Sequence, residues 1–297
     1  MRTAIGTFNL PKWFENGFAG VVEAVKVADD VGIDIVAISE HLAMSESTDA
    51  YPYGRAPIDP RTPFAEPMVH LGALSGATKS IRLGTCILIS PLRPAVLLAK
   101  QIATLDFLSG GRAHMAFGIG WLKEEFDACG MPWEDRFEHM IEQVQACRNL
   151  WSEAPATFHG KFINFDRMYS LPFPTQGARI PISFGVRGTE RNIERLAEHG
   201  VGWHPMERDP GKLAEPIRQL RAKYQEYGRR ADELDVWVYA NVLMDDKGRP
   251  DIDRALAQIP QYAEIGVTTL QFYPPAYADS PKDLPRVLER IVRAAKG

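Results

Sequence analysis

A chain of 297 residues, 45% hydrophobic and 24% charged, is long and apolar enough to bury a sizeable core, which excludes a disordered or low-complexity protein. Its 34 basic and 38 acidic residues leave a formal net charge of -4, so no broad electropositive surface for nucleic acid is expected and a small molecule is the expected partner. Three cysteines without a CxxC spacing suggest neither a disulfide framework nor a zinc site, and with no apolar run of about 18 residues and no signal-like start, a cytoplasmic protein without membrane attachment is expected.

In chain order, residues 3–8 form a short β-type run, and residues 17–31 follow with Phe18, Val21, Val22, Val25 and Ala28 at helical spacing. Gly32 closes that helix, and the near-continuous branched run over 33–38 reads as a strand buried on both faces. The alternation repeats. Further strands are expected at 81–89, 112–118, 181–185, 201–203, 235–243 and 267–273, with helices at 64–77, 93–108, 134–152, 189–199, 210–228, 251–265 and 280–296. Eight strands in βα order predict an α/β fold of parallel strands, a (β/α)8 TIM barrel spanning residues 1–297 as one domain. An open doubly wound sheet would carry a Gly-rich turn after its first strand, and Phe8-Asn9-Leu10-Pro11 is unlike one. Two connections are long. Residues 43–63 follow the second strand, at the end where barrel sites lie, and residues 154–180 hold a hairpin signal around 158–162.

Strand C-termini in a barrel are the places to look for chemistry. Ser39-Glu40-His41 ends the second strand and joins a carboxylate to an imidazole able to exchange a proton near neutral pH; the alternative is that both anchor the following loop. The stretch from Phe184 to Thr189 offers small residues, Arg187 and free N–H groups suited to an anion, or it is a plain turn. The run after Gly118 could set Gly120, Trp121 and carboxylates beside a ligand, while Glu124 and Glu125 read equally as charges favoured in a first helical turn. Trp203, at the end of the sixth strand, reads as core. No HxH, HExxH or GxSxG motif is present, which argues against a metal hydrolase or a serine nucleophile.

Together, Ser39-Glu-His41, LGTCILISPLRPAVLLAKQIATLDFLSGGR over 83–112, GIGWLKEEFDACGMPWEDRFEHM over 118–140, and the Gly185-Val186-Arg187-Gly188 loop followed by Gly202-Trp203 resemble the bacterial luciferase-like oxidoreductases, especially their coenzyme F420-dependent branch. The resemblance covers nearly the whole chain and implies a luciferase-like barrel with insertions in its βα loops. It implies a deazaflavin ring in the barrel mouth near Phe8, Gly120, Trp121, Glu124 and Trp203, with its phosphate near Gly185, Val186, Arg187 and Gly188. It also implies catalytic roles for His41 and Glu40 and a non-proline cis peptide at Cys86-Ile87 backing the ring. Relatives acting on sugar phosphates carry a tryptophan soon after the histidine and an acid beside the GxG turn; Leu42-Ala-Met-Ser45 and Trp121 stand there instead, so glucose 6-phosphate is not the expected substrate.

The expected activity is hydride transfer between coenzyme F420 and a small organic substrate, by a protein that resemblance suggests is a homodimer. Two alternatives stand beside it. One is an FMN-dependent monooxygenase using reduced flavin and oxygen; the other is a cofactor-binding protein without catalysis. No metal is expected.

Overall fold

The computed structural model describes residues 1–52, 54 and 58–297. Short runs of branched and small residues form the strands, each too apolar to face water and each followed by a helix that covers it. The strands are β1 (Arg2–Gly6), β2 (Ile35–Ile38), β3 (Arg82–Thr85), β4 (Leu88–Ile89), β5 (Ala113–Gly118), β6 (Ala156–His159), β7 (Asn164–Met168), β8 (Ile182–Phe184), β9 (Gly202–Trp203), β10 (Trp237–Tyr239) and β11 (Thr269–Phe272). The helices are α1 (Phe18–Val31), α2 (Pro67–Ala77), α3 (Ala95–Leu108), α4 (Lys123–Cys129), α5 (Arg136–Leu150), α6 (Glu190–His199), α7 (Pro210–Glu226), α8 (Ile252–Leu256), α9 (Ile259–Glu264) and α10 (Leu284–Lys296).

Parallel pairing runs in the order β10-β11-β1-β2-β3-β5-β8-β9, with β4 continuing the β3 position beside β5. A parallel bridge between Trp203 and Val236, with the Trp203 N–H donating to Asp235 O at 2.8 Å, joins the two ends of this order and closes the barrel. Among the described residues only β6 and β7 lie outside the ring, as the antiparallel hairpin expected around 158–162.

The large core lies between strands and helices, while a separate lumen core is built from Ala4, Ile35, Ala37, Cys86, Ala116 and Trp237. The lumen side chains are small because the buried Trp237 indole fills the space, with His114 and His204 ring-packed at 5.2 and 5.3 Å. Below it, His114 Nε2 meets Asp235 Oδ2 at 2.6 Å, and Asp235 is also paired with Arg2. Burial alone would raise Asp235, but His114, Arg2 and Thr268 outweigh it and hold the carboxyl well below its usual range.

Two expected elements differ in detail, and one helix was not expected. The strand expected at 81–89 breaks between β3 and β4, where the Cys86–Ile87 peptide is cis. The helix expected at 251–265 divides into α8 and α9, with a proline in the first turn of α9, where its missing N–H leaves no helical bond unmade. The run after Gly118 contains α4, a helix absent from the expected elements.

Candidate functional site

The C-terminal end of β2 is fastened by three consecutive side chains, each with a different partner. The Ser39 hydroxyl donates to the carbonyl oxygen of Cys86 at 3.0 Å. Glu40 accepts from the Ile89 N–H at 2.7 Å and pairs with Arg93, both side chains nearly inaccessible. Burial pushes the Glu40 carboxyl up to about 7 even though Arg93 and the Ile89 N–H oppose it. Glu40 therefore locks β2 to the β4 segment, and His41 has another carboxylate: Glu125 of α4, whose Oε2 lies 3.0 Å from Nδ1. Oε1 of Glu125 accepts from the N–H groups of Leu42 and Ala43 at 2.5 and 3.2 Å. A carboxylate can only accept, so the imidazole keeps its proton on Nδ1 and leaves Nε2 for a ligand.

Rings surround this imidazole. Phe64 and Trp121 approach it edgewise, with centroids at 5.3 and 5.5 Å; Phe8 packs on Phe64 at 5.9 Å and Tyr51 on Trp121 at 5.3 Å. These side chains come from the connections after β1, β2 and β5, so the barrel gathers them at one mouth.

Cys86 turns its thiol into the lumen. His204 donates from Nδ1 to the Trp237 carbonyl, which leaves its Nε2 to accept from Cys86 Sγ at 3.1 Å, and Tyr239 OH lies 2.8 Å from the same sulfur. Burial lowers His204 to about 4, so the ring is neutral at physiological pH, and burial pushes the Cys86 thiol up to about 12, so it is no nucleophile. Ile87 is half-buried beside β8: a Cβ on Gly185 would come within 2.2 Å of its Cδ1, so the glycine is what admits this side chain.

The loop after β8 carries the predicted anion residues. Arg187 donates from Nη2 to Pro52 O at 3.0 Å, tying this loop to the long connection after β2. The Thr189 side chain caps α6 by accepting from the Asn192 N–H. Trp203 is buried and donates from Nε1 to Val186 O at 2.9 Å, and its ring lies so near Gly188 that a Cβ there would come within 2.7 Å. Between this loop and α7 is a cleft of about 420 Å³, bordered by Arg187, Gly188, Trp203, Glu207 and Lys212.

The sequence profile of the luciferase-like monooxygenases matches residues 5–284. The chain belongs to that family. An uncharacterized protein of Mycobacterium tuberculosis is 33% identical over 214 residues, 70% of this chain and 68% of the relative. A protein of Pseudomonas putida named FMNH(2)-dependent dimethylsulfone monooxygenase is 34% identical over 135 residues, 44% of this chain and 36% of the relative. The structure of an F420-dependent secondary alcohol dehydrogenase in complex with an F420-acetone adduct superposes with a TM-score of 0.77 at 16% identity, covering 100% of this chain and 99% of the other, a likeness of fold. The proteins this chain resembles thus include ones named for F420 and ones named for FMN.

In this luciferase-like barrel, His41 and Trp121 meet at one side of the mouth, with Phe8 joined to them through Phe64, Cys86 and Ile87 beside them through Ser39, and Gly185, Val186, Arg187, Gly188 and Trp203 near the cleft. Gly120 lies beneath, its α-carbon facing the Phe126 ring and Ile89. The coupling expected between Glu40 and His41 is replaced by Glu40 with Arg93, because the two neighbours on an extended chain point apart. Glu124 is exposed, and the acid turned inward is Glu125. A signal for it was present: Leu122, Glu125, Phe126 and Cys129 share one face at i, i+3, i+4, i+7, so Glu125 is a carboxylate on an apolar stripe. His204 and Tyr239, which hold the Cys86 thiol, carry no local motif. Among the described residues no group of three His, Cys, Asp or Glu side chains could hold a metal ion, and no helix is long and apolar enough to cross a membrane.

Proposed function

We propose that the protein is an F420-dependent oxidoreductase that transfers a hydride between the deazaflavin and a small organic substrate. The observation that carries this reading is the His41 imidazole, fixed at the barrel mouth in one tautomer by the buried Glu125. Interconverting an alcohol and a carbonyl requires one proton to move with each hydride, and an imidazole with Nε2 available can pass that proton to or from the substrate oxygen.

The residues present fit a flavin-like cofactor. The cleft beside Gly188, bordered by Arg187 and by Lys212 with its ion-pair partner Glu207, has the volume for a phosphate next to the start of α6. The backbone at Cys86–Ile87, held by Ser39 and by the Cys86 N–H on Ile38 O, offers a wall for a planar ring. When bound, a deazaflavin supplies a carbon that gives or takes the hydride. The chain's own tasks are then to orient the ring through these loops, to shield it with Phe8, Phe64 and Trp121, and to hold a proton at Nε2 of His41.

The similarity to the Pseudomonas putida monooxygenase favours a second reading, in which the same mouth takes reduced FMN for oxygen chemistry. Absorbance titration and native mass spectrometry with F420 and with FMN separate the two. F420 binding at micromolar concentration is the expected result; binding of FMN alone, with oxygen consumed when reduced FMN is supplied, reverses the choice.

A further inference from the structure

Arg208 stands in the connection after β9 with its guanidinium carbon 5.1 Å from the centroid of the Tyr239 ring. The residue is half-buried, yet among the described residues its side-chain N–H groups meet no carboxylate and no carbonyl. The other described arginines without such a partner, Arg167, Arg179 and Arg293, are all exposed to water. Both flanking acids turn elsewhere. Glu207 accepts from the N–H groups of Arg208 and Asp209 at 2.9 and 3.0 Å and faces Lys212 at 3.6 Å, while Asp209 caps α7 by accepting from the Gly211 N–H at 2.9 Å. The Arg208 backbone is held in place. Its carbonyl oxygen accepts from the Tyr262 hydroxyl at 2.6 Å and from Asn241 Nδ2 at 3.3 Å, and the Tyr277 hydroxyl donates to the Asn241 carbonyl at 3.3 Å.

This cation opens onto the barrel mouth. Tyr239 ends β10, sets its hydroxyl 2.8 Å from the Cys86 sulfur and packs on His204 at 4.9 Å. Tyr51, which packs on Trp121 beside His41, is close enough for its phenol to act on that of Tyr239, so Arg208 and His41 border the same space. A ring face attracts a cation but satisfies none of the five N–H donors of the guanidinium fork. Paired N–H groups on that planar fork match the two oxygens of a carboxylate.

We infer that Arg208 anchors a carboxylate of the substrate, so that the protein acts on small organic acids and discriminates against their neutral counterparts. The inference rests on the hydride-transfer reading in taking the occupant of the mouth as a substrate, and it names that substrate's class. A half-buried guanidinium has lost part of its water and gained only a ring face; a carboxylate restores two charge-assisted hydrogen bonds, whereas an amide offers one neutral oxygen. Lys212, at the start of α7, already faces Glu207 and is no rival. Coenzyme F420 carries acidic groups of its own, so the test separates the two sources of the anion.

The test sets acetate, benzoate and hexanoate against their amides by calorimetry, on the protein alone and on the protein saturated with whichever of F420 or FMN binds. The expected result, with and without cofactor, is at least one acid bound about tenfold or more tightly than its amide. Arg208→Leu abolishes that preference, and Arg208→Lys, which keeps the charge without the fork, retains part of it. Acids bound no more tightly than amides by the wild type overturn the proposal, so a variant that fails to fold does not remove the test. A preference that persists in Arg208→Leu overturns it too. So does a preference that vanishes on cofactor saturation while Arg208→Leu weakens the cofactor, since the anion is then the cofactor's own. If neither cofactor binds and the Arg208-dependent preference holds, the hydride-transfer reading fails and the carboxylate site stands.

Discussion

Glu125 holds Nδ1 of His41 at 3.0 Å across 84 residues of chain, joining the connection after β2 to the one after β5. The same carboxylate takes the next two N–H groups after His41, so it fixes backbone and ring together. Glu125→Gln keeps an oxygen for those N–H groups but sets an amide, which need not accept, against Nδ1. Turnover is expected to fall about 10- to 100-fold, the cost of a misplaced catalytic group. Cofactor affinity, measured by absorbance titration, stays near the wild-type value; a variant that loses cofactor and turnover in equal measure contradicts the positioning role.

Glu40 and Arg93 form a buried pair that cannot lose one member cheaply. Glu40→Gln leaves the buried Arg93 charge with only the more distant, partly exposed Glu66 as counter-ion and is expected to cost about 3 kcal/mol of folding stability in urea denaturation. The double variant Glu40→Gln/Arg93→Met recovers most of that loss. A single variant as stable as the wild type but without turnover would make Glu40 a catalytic group and remove its role as a clamp.

Ile87 reaches into space that only a glycine at 185 leaves open. Gly185→Ala forces the Ile87 side chain aside, since its terminal methyl is the nearest atom and can move. Cofactor binding is expected to weaken about tenfold, in line with a displaced contact at a packed site. Adding Ile87→Ala removes the collision and brings affinity back toward the wild type, a coupling that a double-mutant cycle on the dissociation constants measures directly.

The barrel was legible because its evidence is local. Branched runs such as 33–38 and helical stripes such as Phe18-Val21-Val22-Val25 repeat in strict order, and each unit signals itself without reference to the others. The position of His41 was legible for the same reason, as the end of a strand. Its partner was not so simple, because Glu125 and Glu124 are adjacent letters and only the helical phase set by Leu122, Phe126 and Cys129 separates the buried acid from the exposed one. Contacts across the lumen leave still less trace. Cys86, His204 and Tyr239 come from three different strand ends, and their meeting follows from barrel closure alone.

His204 makes that lumen contact sensitive to pH. The ring is fully buried, and burial depresses it from 6.5 to about 4, while in the unfolded chain it titrates near its ordinary value. Between these values the unfolded state binds the proton and the folded state does not, so the stability present above about pH 6.5 is lost as the pH falls toward 4. His204→Asn keeps a side-chain N–H for the Trp237 carbonyl and removes the titration. Between pH 7 and pH 5 the wild type is expected to lose about 2 kcal/mol more than the variant in urea denaturation. His70, His139 and His199, also lowered by burial, contribute equally to both proteins and cancel in the comparison. Parallel stability curves for the two proteins over this range would mean that folding leaves the proton affinity of His204 unchanged, and would remove its role as a pH-sensitive contact.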